Sequence, residues 1–110
     1  MSIIAINSVE EFNTQVLGCE GLAIVDFWAE WCTPCTVMRP EVEKVAENLA
    51  GKVTFFSLDA ENKDLREVLL TQEIEGIPSL VFYKGGKQLD RLAGYKKADV
   101  LEKLIREVIK

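Results

Sequence analysis

The run Leu22-Ala23-Ile24-Val25-Asp26-Phe27-Trp28 is apolar at every position except Asp26 and shows no alternation of apolar with polar residues. A strand with one wet face alternates, whereas a strand covered by helices on both faces does not. The run therefore predicts a central parallel strand, which demands crossover helices around it and places the chain in the α/β class. It leads directly into Ala29-Glu30-Trp31-Cys32-Thr33-Pro34-Cys35, and from Pro34 onward the apolar residues recur at helical spacing. Two cysteines three apart in the first turn of a helix have Cα atoms about 5 Å apart, inside the range a disulfide tolerates. The pair can open and close with little backbone movement.

Around this run the chain reads as alternating strands and helices. Ile3 to Ile6 is a short first strand, and Ser8-Val9-Glu10-Glu11 has the capping-box spacing of a helix running to about Leu17, with Gly18 as terminator. The helix from Pro34 to about Ala50 carries Met38, Val42, Val45 and Leu49 on one face and stops at Gly51. Pro40 interrupts it, and the lost hydrogen bond predicts a kink there. Val53 to Leu58 is a third strand of β-branched and aromatic residues. Asp59 to Lys63 leads into a third helix with Leu65, Val68 and Leu69 inward, and Gly76 ends that region. Leu80 to Tyr83, Gly85-Gly86 and Gln88 to Leu92 form an antiparallel hairpin. A last helix, from about Lys97 to Ile109, buries Val100, Leu101, Leu104, Ile105, Val108 and Ile109. The order βαβαβαββα predicts a mixed sheet with helices on both faces.

No repeat, linker or low-complexity tract divides the 110 residues, and 48% hydrophobic content supports one domain, 1–110, with a core that needs no structural disulfide. A net charge of −5 with no basic cluster argues against nucleic acid and anionic membrane as partners, and no apolar run approaches a membrane span. Met1 to Asn7 lacks the basic and long apolar regions of a secretion signal, so the cytoplasm is the expected location; the chain is separately expected to be a monomer. The chain has no histidine, which removes histidine-dependent triads, imidazole metal sites and any imidazolium beside a cysteine.

For Cys32 and Cys35 the alternatives to redox chemistry are a zinc half-site and an inert buried pair. A four-cysteine zinc site needs two further ligands, and only Cys19 remains. A Cys-x-x-Cys at a helix start beside a βαβ pattern reads instead as a redox pair, because unpaired N–H groups and the helix dipole favour a thiolate on Cys32. Cys32 would attack a substrate disulfide and Cys35 would resolve the mixed disulfide. Asp26, alone in an apolar strand, should have a raised pKa and is a candidate proton shuttle for Cys35. Its plain alternative is a carboxylate held by local hydrogen bonds or hydrated at the strand end. Trp28 reads as packing beneath the active turn, Cys19 as an incidental loop thiol, and Pro78 on its own as a strand-entry proline.

Trp31-Cys32-Thr33-Pro34-Cys35 preceded by Asp26-Phe27-Trp28-Ala29 and followed by Pro40, Gly76-Ile77-Pro78 and Ala93-Gly94 resembles the thioredoxin family over nearly the whole chain. The resemblance implies the thioredoxin fold, a five-stranded mixed sheet flanked by four helices. It also implies a general protein-disulfide reductase cycling through Cys32 and Cys35, regenerated by a separate flavoenzyme, thioredoxin reductase, with no cofactor or metal of its own. Asp26 would accept a proton during resolution, and the Ile77-Pro78 bond would be cis and face the cysteines. Trp31, Thr33, Pro34, Ile77, Pro78, Ala93 and Gly94 would dock disulfide-containing client proteins, with Trp28 and Pro40 structural. Two positions depart from the family pattern: Thr33 replaces a usual glycine, and Ser57 stands where a lysine often neighbours the aspartate. With no histidine between the cysteines, a reductant is favoured over a disulfide oxidant or isomerase. The rival from another class is a non-redox binding module on the same fold.

Overall fold

In a computed structural model describing residues 3–109, five strands form one sheet in the order β1-β3-β2-β4-β5. Strands β1 (Ile3–Ile6), β2 (Ala23–Trp28) and β3 (Thr54–Asp59) are parallel; β4 (Ser79–Lys84) runs antiparallel to β2, and β5 (Lys87–Ala93) antiparallel to β4. The apolar run thus occupies the centre of the sheet. Helices α2 (Thr33–Asn48) and α4 (Ala98–Val108) cover one face. Helix α1 (Val9–Glu11), its continuation Phe12–Val16, and α3 (Arg66–Thr71) cover the other. Side chains alternate between the two cores as a strand requires: Ile24 and Leu80 meet Met38, Val42 and Ile105, while Val25 and Val81 meet Phe12 and Val68. Each fully buried side chain of this kind contributes about 1.5–3 kcal/mol.

Several boundaries differ from expectation for local reasons. The Ser8 hydroxyl accepts the Glu11 N–H at 3.1 Å, as predicted, but Glu11 reaches back to the Asn7 N–H at 2.8 Å. The helix then widens into a π-helical stretch, Phe12–Val16, closed by the Leu17 N–H on the Phe12 carbonyl. The turn that follows requires glycine at position 18, because a Cβ there would run into the carbonyl oxygen of Thr14. Helix α2 is continuous through Pro40 from Thr33 to Asn48, and all four of its predicted core residues are buried. A 3-10 turn, Lys63–Leu65, precedes α3, which ends at Thr71, well short of Gly76. In α4 only Leu101 and Ile105 are fully buried, and Val100 is 45% exposed. Val100 lies one helical step off the Leu101–Ile105 stripe, and α4 shares its sheet face with α2.

Gly85 and Gly86 have φ of 61° and 80°, the two left-handed positions of a type I′ hairpin loop. Among the described residues no helix is long and apolar enough to cross a membrane. No group of three metal-binding side chains occurs among them either.

Candidate active site

Strand β2 delivers the chain at Trp28 to a tight turn, and α2 begins immediately after it. Cys32 is the N-cap of α2, in extended conformation, with Pro34 in the first turn. Cys32 and Cys35 are joined by a disulfide with Cα atoms 5.3 Å apart, the spacing the helical geometry demands. The Cys32 sulfur accepts the Cys35 N–H at 3.2 Å, the place an N-cap oxygen would take. Its carbonyl accepts the Thr36 N–H at 3.1 Å and the Thr36 hydroxyl at 3.2 Å. The pair is only 4% exposed at each cysteine and packs with Ala29, Trp28 and Ile77.

The docking residues proposed from sequence are brought together from three places. Trp31 is 67% exposed beside the cysteines, and Thr33 and Pro34 are exposed on the first turn of α2. The Ile77–Pro78 peptide is cis, and Ile77 lies against the cysteine pair. Gly94, with φ of 84°, donates its N–H to the Pro78 carbonyl at 2.9 Å, while Ala93 pairs with Ser79 at the end of the hairpin. Trp31, Ala60, Leu69, Ile74, Glu75, Gly76 and Ile77 line a groove next to the disulfide. The Pro78 ring is buried, so its contribution is to the backbone path.

Asp26 is 5% exposed on the sheet face that carries Ile24, with Ser57 on β3 and Leu80 on β4 as its register partners. Its Oδ1 has no hydrogen-bond partner among the described residues. Burial pushes its pKa from the ordinary 3.8 up to about 6, opposed by the charge of Arg39. Sequence reading missed Arg39, whose guanidinium stacks 4.5 Å from the centroid of the Trp28 ring. The available signal was its spacing: Arg39 is four residues beyond Cys35, on the same face of α2. Cys19 is a free, half-buried thiol packed against the core on the opposite sheet face.

The thioredoxin family model matches residues 3–107. The chain belongs to the thioredoxin family. It is 32% identical over 103 residues to thioredoxin-2 of Saccharomyces cerevisiae, covering 94% of this chain and 96% of the relative. Thioredoxin of Chlorobaculum thiosulfatiphilum is 31% identical over 100 residues, covering 91% of each. The solved structure of Malassezia sympodialis thioredoxin superposes with a TM-score of 0.86 at 30% identity, covering 98% of this chain and 91% of that one. The expected thioredoxin fold is the observed one, five strands and four helices. The chain is a thiol-disulfide oxidoreductase that works through a cysteine pair.

Proposed function

We propose that this thioredoxin family member reduces disulfides of client proteins in a reducing compartment, the cytoplasm, and is returned to its dithiol form by a separate flavoenzyme reductase. The reduced Cys32 thiolate attacks one sulfur of a client disulfide, forming a Cys32–client bond and releasing the second client sulfur as a thiolate. Cys35 then loses its proton to the Asp26 carboxylate and attacks the Cys32 sulfur. This attack expels the client sulfur still bound to Cys32 as a thiolate; one client sulfur takes up the proton lost by Cys35 and the other a proton from solvent, and the two electrons gained by the client leave behind the Cys32–Cys35 disulfide. The observation that carries this reading is the N-cap position of Cys32, whose sulfur receives a main-chain N–H while lying within disulfide reach of Cys35. The first feature favours a thiolate on the reduced Cys32 as the attacking group, and the second lets Cys35 resolve the mixed disulfide. The groove between Trp31 and Ile77 supports the client's apolar side chains.

The test is insulin reduction driven by dithiothreitol, followed as turbidity. The native chain should accelerate it, Cys32→Ser should fall to background, and Cys35→Ser should accumulate a mixed disulfide that persists. Turnover that survives Cys32→Ser would exclude Cys32 as nucleophile. An inactive native chain would favour the non-redox binding module instead.

A further inference from the structure

We propose that Arg91, on the edge strand β5, is a positioning residue for the client groove: with Gln88 it holds the carbonyls that end α3 and so fixes the Ile74 to Ile77 wall. The inference rests on the reading of that groove as the client site. Helix α3 ends in a Schellman motif, with the Ile74 N–H on the Leu69 carbonyl at 2.9 Å and the Glu73 N–H on the Leu70 carbonyl at 3.2 Å. The residue such a motif holds in left-handed conformation is usually glycine, because a Cβ is crowded there. Here it is Glu73, with φ of 56°, so the cap lacks the residue that would form it unaided.

The support arrives from another element. Arg91 Nη1 donates to the Glu73 carbonyl at 2.8 Å, and Nη2 donates to the Gln72 carbonyl at 2.9 Å and to Gln88 Oε1 at 2.8 Å. Gln88 Nε2 donates to the same Gln72 carbonyl at 2.8 Å. One planar fork therefore grips the carbonyl of the C-cap residue Gln72, which the end of the helix leaves unsatisfied, and that of Glu73 just beyond it, a geometry lysine cannot reproduce. The chain beyond this cap is the groove wall itself, and its last residue, Ile77, packs on the cysteine pair. Arg91 touches neither sulfur nor groove, yet it sets the backbone from which the wall projects. Preorganising that wall lowers the ordering cost of client binding and leaves the chemical step alone.

The experiment compares the native chain with Arg91→Met, Arg91→Lys and the double variant Arg91→Met/Glu73→Gly. Substrates are insulin and hydroxyethyl disulfide, which is too small to need the groove. Arg91→Met should raise the insulin KM about fivefold with kcat unchanged, and Arg91→Lys should fall between it and the native chain. Rates with hydroxyethyl disulfide should not move. Hydrogen exchange at the Ile74 amide should accelerate in Arg91→Met, and both exchange and KM should return in the double variant, because glycine adopts the left-handed conformation without help. An unchanged insulin KM in Arg91→Met, an equal loss with both substrates, or no restoration by Glu73→Gly would overturn the proposal. A native chain that reduced neither substrate would instead remove the reading of function, while Ile74 exchange would still decide whether Arg91 holds the cap.

Discussion

Asp26 is the residue in which stability and chemistry are most directly opposed. Its carboxyl is raised from 3.8 to about 6 by burial, so the folded state holds the proton more tightly than the unfolded chain does. Below about pH 4 both states are protonated and the group costs nothing; stability then falls as pH rises towards about 6 and stays lowered above it. A shift from 3.8 to about 6 corresponds to a penalty on the order of 3 kcal/mol at neutral pH. Asp26→Asn should therefore stabilise the protein in urea at pH 7.5 by up to about 3 kcal/mol, with the gain vanishing near pH 4. In stopped-flow reduction the same variant should slow resolution of the mixed disulfide more than the initial attack. Equal slowing of both steps would remove Asp26 as the acceptor for Cys35. The lone acid in an apolar run was legible because a buried carboxylate stands out in sequence. Arg39 was not, since a cation on a helix reads as solvated until the fold lays it on Trp28.

At the scale of elements, the charge facing Asp26 comes from helix α2, and β3 offers only Ser57 in register with it. Arg39→Met should push the Asp26 pKa above its present value of about 6 and move the acid limb of the resolution rate to higher pH. Adding Ser57→Lys should bring both back, because the register places position 57 directly opposite the carboxylate on the same face. Infrared titration of the Asp26 carboxyl in the two variants is the check; no shift in Arg39→Met would show that its charge does not reach the acid. The central place of β2 follows from a run apolar on both faces and the hairpin from Gly85-Gly86, whereas the order of the strands around β2 is implied only by the family resemblance. Helix ends were less legible. In sequence Gly76 marks only the end of the region that holds α3, whereas the fold caps the helix at Glu73 and recruits Arg91 from 18 residues further along the chain. The π-helical stretch after α1 has no signature in apolar spacing, since Phe12 and Val16 fit an ordinary helix equally well.

Across the whole molecule, the two buried polar side-chain atoms without partners among the described residues are Asp26 Oδ1 and the Tyr83 hydroxyl. Physics alone does not separate them, since both are uncompensated polar groups in the core. Their positions do. Tyr83 pairs in register with Ala23, the first residue of β2, whereas the active turn leaves from Trp28, roughly 16 Å further along the strand. The amide nitrogen of Gln88, a candidate donor to the Tyr83 hydroxyl, is committed instead to the Gln72 carbonyl at the end of α3, and the hydroxyl is left without a partner among the described residues. The Tyr83 ring itself is well placed, edge-on to Phe12 with centroids 5.7 Å apart, a contact that phenylalanine would keep. Tyr83→Phe should therefore stabilise the protein by about 1 kcal/mol while leaving insulin reduction unchanged. Asp26→Asn should stabilise it as well, but at the cost of resolution. Thermal melts paired with turnover measurements on the two variants would separate the cases. A Tyr83→Phe variant that melted lower would mean that the hydroxyl is bonded after all, and one that lost activity would mean that this pole of the sheet is coupled to the cysteines.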